Sequence, residues 1–183
     1  MQFYSIPTFL LLAIAFAPAT LHAQLSSGPN VGIKVEPLKV FAATGQMAGN
    51  EVDFSAERQL RPTLFVFVQA DKWDRPMSRF VRTLDQELAK NRQDVQLIAV
   101  WLTDDVAKAK EYLPLAQNSL KLAQTTFTVF PGDKNGPQGW GINFQAHVTA
   151  VVAQDGHVTA SFAHRSVNET DAPAVLEKLQ PIK

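Results

Sequence analysis

Residues 61–88, RPTLFVFVQADKWDRPMSRFVRTLDQEL, decide the fold because the hydrophobic period changes within this stretch. Residues 64–68 are five consecutive apolar side chains, mostly of strand-favouring types, which predicts a short strand buried on both faces. From Met77 onward the apolar residues recur at helical spacing, so an amphipathic helix follows after a tight turn. The turn therefore lies at the carboxyl end of a central strand, where ligands bind in open α/β sheets.

The start and the two faces of this helix are also predicted by the sequence. Asp74 is the expected N-cap, and Pro76 suits the first turn because its missing N–H would have had no partner there. Met77 is expected to be a core residue and not to act as a ligand. The apolar face comprises Met77, Phe80, Val81, Leu84 and Leu88, whereas Arg79, Arg82, Asp85 and Glu87 are predicted on the polar face.

The run FVQADKWDRPM resembles the active-site segment of thioredoxin-like proteins, in which a strand leads into Trp-Cys-x-x-Cys at the start of a helix. Trp73 matches the tryptophan of that family, and Pro76 matches the proline that often precedes the second cysteine. Asp74 and Met77 stand at the two cysteine positions. The resemblance implies an α/β fold of the redoxin type, a thioredoxin-like three-layer sandwich with a central mixed sheet flanked by helices.

The chain contains no cysteine. Disulfide exchange needs a thiolate and a resolving partner, so neither thiol-disulfide oxidoreductase nor peroxiredoxin activity is expected. In the family a cis-proline precedes the last hairpin, and His147 stands at the equivalent place. A cis bond there would cost about 3 kcal/mol more than trans, so it is not expected.

The remaining core elements alternate in type. A second apolar strand is predicted at residues 95–102, followed by a helix that begins near Val106 and stops before Pro114. A separate helical piece is predicted at residues 115–122. Alternating strands and helices favour parallel pairing through right-handed crossovers.

Shorter strands are predicted around this core. Residues 38–42 and a segment around Val52 and Phe54 predict edge strands on either side of a turn at residues 44–50. A further strand is predicted at residues 125–130.

The second half of the chain contains a glycine-rich loop and a hairpin. Residues 131–141, PGDKNGPQGWG, hold four of the nine glycines and are interpreted as a connection, with a lid as the alternative. Strands at residues 148–153 and 158–162 flank Asp155 and Gly156, a pair typical of a two-residue hairpin turn.

A terminal helix at residues 171–179, capped by Thr170 or Asp171, is predicted to complete the domain. His157 and His164 lie near a turn and a strand end, so both are expected at the surface.

Length and composition favour one globular domain. The chain has 183 residues, of which 46% are hydrophobic. Basic and acidic residues both number 17, so a nucleic-acid or anionic-membrane partner is not expected.

The amino-terminal residues are interpreted as a targeting segment. Residues 1–23 contain an uncharged apolar run and end in a plausible cleavage site, which predicts a signal peptide. Residues 24–33 are predicted to form a flexible lead-in, and residues 34–183 are predicted to form the thioredoxin-like domain. The chain is therefore expected to be exported, to the periplasm or outside the cell. The alternative is an uncleaved membrane anchor, since the usual basic residues before the apolar run are missing.

The preferred functional hypothesis is a peptide- or protein-binding module without a cofactor. Its predicted groove lies at the family's active-site position and comprises Trp73, Asp74, Arg75, Pro76, Met77 and His147. Trp73 either packs on the sheet or offers an aromatic platform to a peptide.

The alternative hypothesis is a metal-dependent or acid/base enzyme. Carboxylates at strand ends are ligands for hard cations, and the candidates are Asp71, Asp74, Asp104, Asp105 and His147. The simpler interpretation is that Asp74 and Asp104 or Asp105 cap the helices that follow them, and that His147 is a partly buried histidine with a structural role.

Overall fold

The computed structural model describes residues 25–179. The strands are β1 Lys39–Ala42, β2 Glu51–Asp53, β3 Thr63–Gln69, β4 Gln96–Leu102, β5 Thr125–Val129, β6 Val148–Gln154 and β7 His157–His164. The helices are α1 Phe54–Arg58, α2 Arg75–Asn91, α3 Val106–Leu120 and α4 Ala172–Leu176. All seven strands form one mixed sheet in the order β2-β1-β5-β4-β3-β6-β7.

The centre of the sheet is parallel, as predicted. β3 pairs with β4 and β4 with β5 in parallel, whereas the other neighbouring strands pair antiparallel. Because β3, β4 and β5 follow one another in one direction, right-handed crossovers place α2 and α3 on the same face. Of the two strands predicted at an edge of the sheet, β2 does lie at the edge, but β1 lies inside the sheet because it pairs with β2 on one side and β5 on the other. Phe54 begins α1 instead of extending the strand.

Both faces of β3 are buried, as its unbroken apolar sequence predicted. Leu64, Val66 and Val68 pack with residues of α2, α3 and α4, whereas Phe65 and Phe67 face the other side. There α1 and the segment after β5 form a thinner layer. The result is the expected three-layer arrangement.

The glycine-rich loop is anchored in that thinner layer by Trp140. Its side chain is fully buried, and its ring lies 5.0 Å from the ring centroids of both Phe65 and Phe67. Its Nε1 donates a hydrogen bond to the carbonyl of Pro37 at 3.2 Å. The loop therefore supplies a core side chain, which supports its interpretation as a connection.

The prediction that the helix beginning near Val106 would stop before Pro114 is wrong. Helix α3 continues through Pro114 to Leu120. The proline removes one helical hydrogen bond, but Leu113 and Ala116 on either side of it are buried against the sheet. Packing of that face therefore holds the helix together across the missing bond.

Asp85 is not on the exposed face of α2, contrary to the prediction. It is 2% exposed, and its carboxylate accepts hydrogen bonds from the backbone N–H groups of Ala123, Gln124 and Thr125 and from the hydroxyl of Thr125, at 2.7–2.9 Å. Four donors compensate for the loss of hydration of the charge. Asp85 thus joins α2 to the start of β5.

The last hairpin and the terminal helix follow the prediction closely. Asp155 and Gly156 have φ values of 51° and 73°, as a primed two-residue turn requires. The terminal helix is shorter than predicted and is preceded by a 3-10 turn, Glu169–Asp171. Asp171, one of the two predicted caps, stands at the N-cap of α4, although its side chain makes no capping hydrogen bond there. Asn168 caps the 3-10 turn, in a reciprocal capping box with Asp171.

The segment before β1 runs beside the last hairpin. Ser27 shares a hydrogen bond of 2.6 Å with Thr149, and Gly32 and Ile33 bond to the backbone of Val158. These bonds join the segment to the hairpin at Ser27, Gly32 and Ile33. The predicted flexibility of residues 24–33 stays a prediction. The predicted signal segment, residues 1–23, lies outside the described residues, and within residues 25–179 no helix is long and apolar enough to cross a membrane.

Candidate functional site

The turn between β3 and α2 lies at the carboxyl edge of the sheet. β3 ends at Gln69, a 3-10 turn spans Ala70–Lys72, and Trp73 then leads into Asp74. The carboxylate of Asp74 accepts a hydrogen bond from the backbone N–H of Met77 at 2.8 Å, which confirms it as the N-cap. Met77 is 2% exposed and belongs to the core, so it does not line the surface beside the turn.

Trp73 packs against the sheet and is also partly exposed. Its ring lies 4.8 Å from the ring of Trp101, which is on β4, in an edge-to-face arrangement. Its indole Nε1 donates a hydrogen bond to the hydroxyl of Tyr112 on α3 at 3.1 Å. Such contacts fix the orientation of the ring, so that its remaining surface is presented to solvent in one position.

Trp73 lines a depression between the start of α2 and the middle of α3, which we call the aromatic depression. Its volume is about 570 Å³. Leu115 is 67% exposed and Tyr112 is 41% exposed. Its main lining residues are Trp73, Asp74, Arg75, Tyr112, Leu115 and Ala116.

His147 lies in a different depression from Trp73, which we call the basic depression. Its backbone carbonyl accepts a hydrogen bond from the N–H of Gln69 at 3.0 Å, so it stands beside the end of β3. The volume is about 610 Å³, and the lining comprises Gln69, Asp71, Lys72, Lys134, Phe144, Gln145, His147 and Arg165. The six residues predicted to form one groove are thus not all brought together.

A third, smaller depression of about 360 Å³ lies between these two. It shares Trp73 with the aromatic depression and Asp71 with the basic one. The middle depression therefore adjoins both of the others, and the aromatic depression extends from it between α2 and α3 as far as Leu120.

The aspartates that were candidates for a metal site have other partners. Asp105 accepts a hydrogen bond from the backbone N–H of Lys108 and caps α3, whereas Asp71 pairs with Lys72 and Asp104 with Lys134. Within residues 25–179 no group of three or more His, Cys, Asp or Glu side chains is placed to hold a metal ion. The capping interpretation is confirmed for Asp74 and Asp105.

The ion pairs change the acidity of two of these groups. A hydrogen bond from Lys72 lowers the pKa of Asp71, and the bond to Asp104 raises the pKa of Lys134. Both shifts favour the charged forms, so these side chains carry full charges near neutral pH. Asp71 and Lys134 therefore contribute fixed charges to the edge of the sheet near neutral pH.

No family profile matches this sequence, and no curated protein matches it. Solved structures do match. BsSco, a member of the Sco family of cytochrome c oxidase assembly proteins, has a TM-score of 0.58 and 14% identity over 86% of this chain and 100% of its own.

Two further structures agree with that match. The yeast mitochondrial 1-Cys peroxiredoxin has a TM-score of 0.58 and 10% identity, over 80% of this chain and 73% of its own. A secreted disulfide oxidoreductase of Mycobacterium tuberculosis, homologous to E. coli DsbE, has a TM-score of 0.52 and 14% identity, over 76% of this chain and 95% of its own. The chain has a thioredoxin-like fold. At these identities the likeness concerns the fold alone.

This thioredoxin-like chain carries Asp74 and Met77 at the positions where the resemblance places the two cysteines, and it contains no cysteine elsewhere. The peptide bond before His147 is trans, and no cis bond occurs within residues 25–179. The start of α2 is therefore closed by a capping carboxylate instead of a thiol.

The residues that complete both depressions were not predicted from the sequence. Tyr112 and Leu115 come from α3, and Lys134 and Arg165 from separate loops. Leu115 was available as a signal, because it is a large apolar residue outside the buried stripe of Ala109, Leu113 and Ala116. For Lys134 and Arg165 no local pattern indicates that they meet.

Proposed function

We propose that the chain is an exported thioredoxin-like domain that binds a peptide or protein segment at the carboxyl edge of its sheet, without thiol redox activity. The observation that carries this proposal is the aromatic depression. Leu115 and Tyr112 lie one helical turn apart, and both remain substantially exposed beside Trp73. Exposed apolar groups that cluster in a depression are typical of binding sites.

The absence of cysteine supports a binding role over disulfide exchange. Thiol chemistry at this edge would need a thiolate, and the sequence has none to offer. Asp74 uses a carboxylate oxygen on the backbone of Met77, so the start of α2 is stabilised by its own chain. What this edge retains is shape, aromatic surface and charge.

The proposal of export is based on residues 1–23, which carry no charge and end in a plausible cleavage site. The secreted oxidoreductase of Mycobacterium tuberculosis shows that this fold is compatible with export. Expression of the full chain in a bacterial host, followed by fractionation and mass measurement, tests it. A mature chain that begins at Gln24 and lies outside the cytoplasm supports export, and an intact cytoplasmic chain contradicts it.

Selection from a display library of random short peptides tests the binding role. Peptides enriched on the immobilised chain are synthesised, and their affinity is measured by fluorescence anisotropy. We expect Leu115→Ser and Trp73→Ala to weaken binding about tenfold, since an aromatic or apolar anchor at an interface contributes about 1–2 kcal/mol or more.

Leu60→Ser is the matched control. Leu60 is 64% exposed, almost as much as Leu115, but it accepts a hydrogen bond from Asp155 at the opposite end of β6. Its substitution should leave affinity unchanged. Equal loss of affinity in Leu60→Ser and Leu115→Ser, with unfolding midpoints unchanged, contradicts a site in the aromatic depression.

A further inference from the structure

The basic depression differs in chemistry from the aromatic one. Three cations, Lys72, Lys134 and Arg165, line it together with a single carboxylate, Asp71. They come from the turn after β3, the loop after β5 and the residue after β7. Convergence of three cations from distant parts of the chain gives this end of the edge a positive lining.

Two of these three cationic side chains are paired with carboxylates of the chain, and both ion pairs are exposed to solvent. Lys72 pairs with Asp71 at 2.9 Å, and Lys134 pairs with Asp104 at 3.0 Å. Asp133 is also near Lys134, outside the lining. Exposed pairs contribute about 0–1 kcal/mol, so a carboxylate of a binding partner can replace either acid at small cost.

Arg165 has more unused capacity than either lysine. Its guanidinium donates one hydrogen bond of 3.1 Å to the neutral side-chain oxygen of Gln145. No carboxylate within residues 25–179 lies within ion-pair distance of it. The planar fork of N–H donors therefore keeps most of its donors for a ligand, and it matches a carboxylate in geometry.

An exposed aromatic ring lies beside these cations. Phe144 lines the same depression and is 60% exposed. A simple inorganic anion would leave this ring in water. A peptide with an apolar residue next to an acidic one would use both the ring and the cations.

We propose that the basic depression binds an acidic peptide segment, with Asp or Glu carboxylates on Arg165 and Lys72 and an apolar side chain on Phe144. The proposal rests on the peptide-binding function above and names the chemistry of the partner. The middle depression, which shares Asp71 and Trp73 with its neighbours, allows one segment to reach from the cations to the aromatic depression.

The peptide selection described above tests this proposal through the composition of the enriched peptides. We expect them to be richer in Asp and Glu than the starting library. Their affinity should fall as salt is raised, because exposed charge pairs are screened. Arg165→Glu should weaken binding about tenfold at low ionic strength.

Arg82→Glu is the matched control, because Arg82 is an exposed arginine of α2 that lies outside both depressions. Enrichment of neutral or basic peptides, or equal affinities for Arg165→Glu and Arg82→Glu, overturns the acidic partner. If Leu115→Ser still weakens those peptides, the proposed function survives and only this inference fails. If no peptide is enriched above the bare matrix, both are overturned.

Discussion

Asp85 and Trp140, inside the domain, have their contacts within the chain, whereas the chemically similar Asp74 and Trp73, at the carboxyl edge of the sheet, are only partly covered. Asp85 accepts four hydrogen bonds in the interior, but Asp74, the N-cap of the same helix, accepts one from Met77 and faces water. Trp140 is enclosed by the core, but Trp73 is only partly covered. The comparison shows that the interior groups maintain the fold and that the edge groups remain available to a partner.

The physical reason is the cost of burial. A buried charge or N–H without a partner costs free energy, so most interior polar groups are satisfied by the fold itself, and the buried Nε2 of His164 is an exception. At the edge, water satisfies the same groups, and a ligand can take the place of water. Variants at matched interior and edge positions therefore test this difference directly.

The two tryptophans should show the largest difference. Trp140→Ala leaves a cavity next to Phe65 and Phe67 and should lower the free energy of unfolding by about 4 kcal/mol. Trp73→Ala removes a partly exposed ring and should cost about 1–2 kcal/mol. Urea denaturation of both variants measures the two values, and equal losses would show that Trp73 belongs to the core.

Asp85 of α2 and Asp74 at its N-cap should differ less in their effect on stability. Asp85→Ala leaves three backbone N–H groups and a hydroxyl without their acceptor, so we expect a loss of about 3 kcal/mol. Asp74→Ala removes one exposed cap and should cost about 1 kcal/mol. Chemical denaturation near neutral pH provides the comparison. A loss below about 1 kcal/mol for Asp85→Ala would contradict the role of that carboxylate as the link between α2 and β5.

The smallest expected effect concerns His164, which was predicted at the surface but is half-buried. Its Nε2 is buried and has no hydrogen-bond partner, and burial lowers its pKa from the ordinary value of 6.5, although the charge of Asp171 opposes the shift. The unfolded chain therefore binds the proton more readily than the folded one. Stability should be complete above about pH 7 and should fall as the pH drops below 6.5.

Urea midpoints measured across this pH range, for the wild type and for His164→Gln, isolate that contribution. The variant should lose less stability on acidification than the wild type. His157→Gln is the control, since His157 is exposed as predicted and lies in the turn region of the same hairpin. Parallel profiles for the wild type and His164→Gln would show that this imidazole titrates alike in both states.

Much of the fold could be predicted from hydrophobic period and from turn chemistry. Five consecutive apolar residues, 64–68, indicated β3, and the Asp155 and Gly156 pair indicated the last turn. These signals are local, because they depend on spacing and on φ preferences of single residues. The break expected at Pro114 was wrong because it weighed one missing hydrogen bond without the packing of the surrounding face.

The candidate site was predicted only in part. Trp73 and Asp74 could be placed because they follow a strand and precede a helix. The separation of His147 from Trp73 could not, since it depends on how the segment before β6 passes the end of β3. The meeting of Lys72, Lys134 and Arg165 could not be predicted either, because these residues are far apart in the sequence.

The sequence by itself determined the central strands, the helix that begins after Asp74 with its cap, the turn of the last hairpin and the absence of any thiol at the thioredoxin-like position. Only the tertiary structure decided which polar groups are enclosed and which face water. Local pattern cannot distinguish Asp85 from an exposed aspartate, because both satisfy the same helical spacing. The difference arises from the backbone N–H groups of another segment, residues 123–125, which the folded chain brings to the carboxylate of Asp85.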